Sequence, residues 1–182
     1  MKNFILYEPE ALYINIPRTG GATILNTVWE EAYSDTSIGE WLSEWDKLFS
    51  FTFIRHPLDR LVSAYMASSL SSLDTFAIEN IYSRNVMTSL LPMTNSINFI
   101  DKAKFVGRYE RFQADLESIT QHLGLEISYP IKYKANSRTI TWQQCIEEQM
   151  SSDVYDAVID YYRSDFKEFR YGIPTMGNLR TR

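Results

Sequence analysis

Residues 12–23 read Leu-Tyr-Ile-Asn-Ile-Pro-Arg-Thr-Gly-Gly-Ala-Thr. A β-branched and aromatic run stops at a proline, a small-residue turn follows, and an apolar-periodic segment starts at Ala22. The pattern predicts a strand over Leu12–Ile16, a glycine turn, and a helix over Ala22–Tyr33 that places Ile24, Leu25, Val28, Trp29 and Ala32 on one face. A strand that passes through glycines into a helix start turns backbone N–H groups and the positive end of the helix dipole toward one spot. Such a spot suits an oxyanion, phosphate or sulfate.

Other segments extend the alternation. Phe4–Tyr7 reads as a short strand or lead-in, and Trp41–Leu48 as a short helix. Phe49–Ile54 is mostly apolar on both faces, as a buried parallel strand is. Pro57 sits where a helix can begin, and the helix is expected to run to about residue 69. Ile78–Leu91 reads as helical, Lys104–Tyr109 as a third strand, and Phe112–Leu123 as a helix ended by Gly124. Trp142–Met150 reads as a short helix. The last helix is expected to be capped by Asp153, and the tail 175–182 to be loose. Strands alternating with helices predict an α/β fold with a short central parallel sheet flanked by helices.

The chain has 182 residues, which favours a single domain over 1–182. Net charge is −5, so no global basic field invites a nucleic acid polymer, and an anion site must be a local cluster of basic residues. One cysteine, Cys145, leaves no internal disulfide. No stretch approaches the about 18 apolar residues of a membrane span, and the acids Glu8 and Glu10 come too early for a signal peptide. A cytoplasmic protein is expected. No cluster with metal-ligand spacing stands out, and no metal is expected.

Two constellations carry chemistry. In Pro17–Thr23, two glycines permit close backbone approach, Thr19 and Thr23 add hydroxyls, and Arg18 adds a forked positive charge suited to oxyanions. The alternative is a tight turn with an incidental arginine. The loop is not a Walker A sequence, because the G-x-x-x-x-G-K-[ST] spacing is absent. In Ile54–Tyr65, a second strand again ends in a basic residue at a helix start. C-terminal ends of parallel strands share one side, so Arg55 can converge with Arg18, and Ser63 can point toward the same edge. Arg60 reads as pairing with Asp59 or nearby acids, and His56 as serving a structural hydrogen bond rather than catalysis.

The strings "IPRTGGATI" and "FTFIRHPLDRLVSAY" resemble the carbohydrate-type sulfotransferase family, whose loops resemble "IPKTGGTS" and "RHPxxRLxSAY". "FVGRYERFQADLESITQHLGL", "ANSR" and "YDAVIDYYRSDFKEFRYG" are similar to later family segments in the same order. The resemblance implies a P-loop-NTPase-like three-layer fold and sulfuryl transfer from 3′-phosphoadenylyl sulfate (PAPS) to a hydroxyl or amine of a sugar, lipid or small-molecule acceptor, releasing adenosine 3′,5′-bisphosphate (PAP). It implies that Arg18, Thr19, Gly20, Gly21, Ala22 and Thr23 hold the 5′-phosphosulfate. Arg55 and Ser63 would hold the 3′-phosphate, helped by Arg138. Residues 68–103 would be the acceptor-side insertion.

Two positions depart from the family. Arg18 stands where members have lysine; it keeps the charge but cannot give up its proton. Relatives carry a histidine base in a "KHASA"-like stretch, and Ser34–Trp41 has none. A carboxylate base is the substitute, with Glu40 and Asp35 ahead of Glu44 and Asp46. The alternatives are a PAP- or PAPS-binding protein with weakened catalysis and a small P-loop kinase, the latter opposed by the missing Walker lysine.

Overall fold

A computed structural model describes residues 3–7, 10–28, 33–36, 47–70, 72–82, 86–126 and 140–179. In chain order the elements are β1 (Asn3–Leu6), β2 (Ala11–Tyr13), α1 (Gly21–Thr23) running into a π-helix (Ile24–Val28), β3 (Tyr33–Thr36), β4 (Phe49–Ile54), α2 (Pro57–Tyr65), α3 (Leu73–Ile81), β5 (Phe105–Arg108), α4 (Phe112–His122), α5 (Trp142–Gln149), α6 (Ser152–Tyr161), α7 (Arg163–Glu168) and α8 (Met176–Leu179). Three short 3₁₀ turns lie between Thr88 and Lys102, and a fourth precedes α4. The chain divides into two compact units, Met1–Arg55 with Asn95–Asn136, and His56–Thr94 with Ser137–Arg182.

The first unit holds the whole sheet, in the order β3-β1-β2-β4-β5. The protein is α/β, but the sheet is mixed, which corrects the expectation of a parallel one. β2, β4 and β5 are parallel, with Leu12 opposite Ser50 and Phe53 opposite Gly107. β1 runs antiparallel to both β2 and β3. The reason lies in the short link from Leu6 to Ala11, which allows a hairpin and is too short for a parallel crossover. Side chains alternate as a two-sided sheet requires. Ala11, Tyr13, Phe51 and Phe53 pack with Phe112, Leu116 and Ile119 of α4. Ile5, Leu12 and Ile14 form a second cluster with Leu48. Gly107 makes room for its neighbour: a Cβ there would sit 2.6 Å from the Phe53 ring.

The strand expected over Leu12–Ile16 closes at Tyr13, because side chains take over its ladder. Ile14 still donates its N–H to the Phe51 carbonyl (2.9 Å), but the Ile14 carbonyl accepts the Thr52 hydroxyl (2.7 Å) and the Asn15 N–H goes to Asn3 Oδ1 (3.1 Å). The helix expected over Ala22–Tyr33 is also corrected. Among the described residues of that span, Gly21–Thr23 is α-helical, the next five residues widen into a π-helix, and Tyr33 lies in β3.

In the second unit, Leu58, Leu61 and Val62 of α2 share one apolar cluster with Leu73 and Phe76 of α3, Ile146 of α5, Val158 and Tyr162 of the α6 end, and Phe166 of α7. Ser72 starts α3 by accepting the Thr75 N–H, so the helix lies over Leu73–Ile81 rather than the expected Ile78–Leu91. Thr141 and Gln144 form a reciprocal capping box at α5. Ser151, not Asp153, precedes α6, and Asp153 sits in its first turn. The tail is not loose throughout: Met176–Leu179 is helical, with Leu179 buried.

Candidate functional site

Three parallel strands, β2, β4 and β5, deliver their C-terminal ends to one side of the sheet, the side where ligands bind in open α/β sheets. β2 leads into Pro17–Thr23, β4 into Arg55, and β5 into Tyr109.

The first loop is built over its own strand. Arg18 and Gly20 both take positive φ, +71° and +104°. Gly20 tolerates this without a Cβ; Arg18 does not, and a left-handed L-residue costs about 1–2 kcal/mol. Thr19 between them is fully buried, and its hydroxyl donates to the Ile16 carbonyl (2.7 Å), which closes the turn. The Tyr13 phenol lies below; burial pushes its pKa up, and a hydrogen bond with Thr19 opposes the shift. The Gly20 carbonyl accepts from Thr23 N (2.9 Å) and Ile24 N (3.2 Å). The glycines are sterically required. A Cβ at Gly20 would come 2.5 Å from the Phe112 ring, and one at Gly21 would come 2.5 Å from Asn15 Oδ1 and 2.9 Å from the Tyr13 hydroxyl. Within this loop Thr23 is buried, Ala22 exposed and Arg18 half-buried.

Arg55 is 6% exposed at the end of β4. Its Nη1 donates to the Arg18 carbonyl (3.0 Å), so the structure brings the two predicted arginines together through side chain and backbone. Its guanidinium carbon lies 3.9 Å from the centroid of the Tyr109 ring, a cation–π contact. Tyr109 in turn meets Phe112 edge-on at 5.9 Å between centroids. Sequence reasoning passed over Tyr109. The available signal was its place directly after the third strand, the position that Arg18 and Arg55 share relative to theirs.

Ser63 lies in the second unit, buried on α2. In the same unit His56 is boxed by aromatic rings: Trp142 stacks on it at 4.5 Å, and Tyr171 and Phe166 meet it edge-on at 5.2 and 5.6 Å. These ring contacts give His56 a packing role in this unit. Arg60 is buried, and its Nη1 donates to the Leu91 carbonyl (2.8 Å).

Of the carboxylate candidates, Asp35 lies in β3, its backbone opposite Phe4. Glu40, Glu44 and Asp46 fall outside the described residues, as does Arg138. Among the described residues no group of three or more His, Cys, Asp or Glu side chains could hold a metal ion. Among them, too, no helix is long and apolar enough to cross a membrane.

Residues 22–89 match the model of the sulfotransferase family. The match spans the end of the first loop, Arg55 and Ser63. It supports assignment of the chain to that family and sulfotransfer as its general class of activity. No curated protein and no solved structure matches the chain significantly.

Proposed function

We propose that the protein transfers a sulfuryl group from PAPS to a hydroxyl or amine of a sugar, lipid or small-molecule acceptor, releasing PAP, and that the two units work as one P-loop-like sulfotransferase domain over residues 1–182. The observation that carries the reading is the hydrogen bond from Arg55 Nη1 to the Arg18 carbonyl. It joins two arginine-bearing loops at the C-terminal ends of neighbouring parallel strands, where a ligand with two separated anionic groups needs two cationic contacts.

PAPS supplies the sulfuryl group as an activated phosphosulfate. Backbone N–H groups of Thr19, Gly20, Gly21, Ala22 and Thr23, with the Thr23 hydroxyl, hold the 5′ end. The crowding that excludes a Cβ at Gly20 and Gly21 keeps this backbone close to its support. The guanidinium of Arg18 stabilises charge developing on the leaving phosphate without giving up a proton. Arg55 and Ser63, with Arg138, hold the 3′-phosphate. Glu40 or Asp35 takes the acceptor proton, and residues 68–103 shape the acceptor side. Positioning and electrostatics then carry most of the rate, as in phosphoryl transfer.

A second reading, a PAP- or PAPS-binding protein with weakened catalysis, is favoured by Arg18 in place of lysine and by the absence of histidine from Ser34–Trp41. Calorimetry with PAP and with ATP on the wild type and Arg55→Ala tests the donor site. PAP binding that Arg55→Ala abolishes supports it; preference for ATP, or no nucleotide binding, overturns it. PAPS turnover over an acceptor panel separates the enzyme from the binding protein.

A further inference from the structure

Two contacts of different kinds hold the Arg55 guanidinium. In its plane, Nη1 is tied to the Arg18 carbonyl at 3.0 Å. The guanidinium carbon also sits over the Tyr109 ring, 3.9 Å from the centroid. A hydrogen bond alone leaves a guanidinium free to rotate about the bond axis, and a ring face alone leaves it free to slide. Together they restrict both motions. The bond to Arg18 engages one N–H of a guanidinium that carries five. The carbonyl it holds belongs to a residue in a left-handed conformation that L side chains disfavour, which persists only where neighbours over-determine it.

We propose that Tyr109 is a positioning residue that sets Arg55 and, through it, the Arg18 loop, so that the two halves of the donor site respond as one unit. This rests on the PAPS reading above. It goes beyond it in making the 5′ loop depend on a ring that follows β5. Tyr109 then acts on ligands that carry no 3′-phosphate as well as on those that do.

The test compares Tyr109→Phe and Tyr109→Leu with the wild type in two measurements. Amide exchange over Ile16–Ile24 without nucleotide reads the loop. Calorimetric Kd values for PAP and for adenosine 5′-phosphosulfate, which lacks the 3′-phosphate, read the site. Tyr109→Phe keeps the ring face and stays within about twofold of wild type in all readouts. Tyr109→Leu weakens PAP by about tenfold and adenosine 5′-phosphosulfate by about threefold, and speeds exchange at Thr23 and Ile24. If Tyr109→Phe is as impaired as Tyr109→Leu, the hydroxyl and not the ring is what counts, and the proposal is overturned. If Tyr109→Leu weakens PAP alone and leaves loop exchange unchanged, the coupling is refuted. A wild type that binds neither nucleotide overturns the PAPS reading, while loop exchange still decides whether Tyr109 positions the loop. Should Tyr109→Leu fail to fold, Tyr109→Met is read in the same arms.

Discussion

Asp165 holds Thr94 twice: one carboxylate oxygen accepts both the Thr94 N–H (2.9 Å) and the Thr94 hydroxyl (2.8 Å). The other accepts the Met93 N–H at 2.8 Å. Within the same unit Tyr162 donates to the Leu90 carbonyl and Arg60 to the Leu91 carbonyl, both at 2.8 Å. Side chains thus satisfy an irregular backbone stretch, Leu90–Thr94, that helix and sheet ladders leave out. Asp165 is fully buried, so its removal strands donors away from water. Asp165→Ala is expected to cost about 2–4 kcal/mol. Asp165→Asn, which keeps one accepting oxygen, is expected to cost less. Urea unfolding of the two variants measures the order; equal stability of Asp165→Ala and wild type would refute it.

The two loop glycines should fail in different ways. Gly20→Ala meets both the Phe112 ring and a φ of +104°, and its cost is about 2–3 kcal/mol. Gly21→Ala meets chiefly Asn15 Oδ1 and the Tyr13 hydroxyl. Adding Asn15→Ala should therefore recover part of the stability lost in Gly21→Ala, whereas Phe112→Leu should not rescue Gly20→Ala. Melting temperatures of the four single and double variants check the contrast.

Arg18→Gly should separate stability from activity. Relief of the left-handed arginine gains about 1–2 kcal/mol and glycine's extra chain entropy returns about 0.5–1 kcal/mol, so the variant is expected to be as stable as wild type or slightly more so. Loss of the guanidinium should lower PAPS turnover by at least about tenfold. Arg18→Lys, which restores a cation able to release its proton, reads the catalytic part alone. A stable Arg18→Gly with undiminished turnover would remove Arg18 from the mechanism.

Buried phenols make the fold sensitive to alkali. Tyr155, whose hydroxyl donates to the Pro174 carbonyl, is pushed up to about 12, chiefly by burial and then by the Asp156 charge. Burial drives Tyr13 and Tyr162 upward as well. A folded pKa above the unfolded value of about 10 favours the folded state while the group is protonated. Stability is therefore full below about pH 10 and falls as pH climbs toward 12. Melting temperature across that range, followed with tyrosinate absorbance, measures the decline, and Tyr155→Phe should flatten part of it.

The sequence revealed the central strand β4 and the helices at Phe112 and Trp142 to within a residue, and concealed β3. Phe49–Ile54 was legible to the residue because phenylalanines alternate with small Ser50 and β-branched Thr52 up to Ile54, bounded by Arg55. The helix expected from Ala22 departs from α geometry because the chain widens into a π-helix at Ile24, a change of pitch that apolar spacing does not announce. Tyr33 was assigned to the wrong element because a strand edge also accepts an aromatic residue. The mixed sheet was hidden in a link too short to carry a periodic signal. In the candidate site, Arg18 and Arg55 were legible from strand ends followed by turns, and the meeting of their loops from the parallel pairing of β2 and β4. Tyr109 and the Asp165 contacts were not, because their partners lie far along the chain and no local pattern encodes them.

Phe53 and Gly107 share one volume across the β4–β5 pair. Neither position can drift alone over evolutionary time. A side chain gained at 107 must be matched by atoms given up at 53, and a larger ring at 53 is tolerated only while 107 stays bare. Arg55 and Tyr109 are each carried two residues past this pair, so a lineage that rewrites it also re-aims the guanidinium and the ring that faces it.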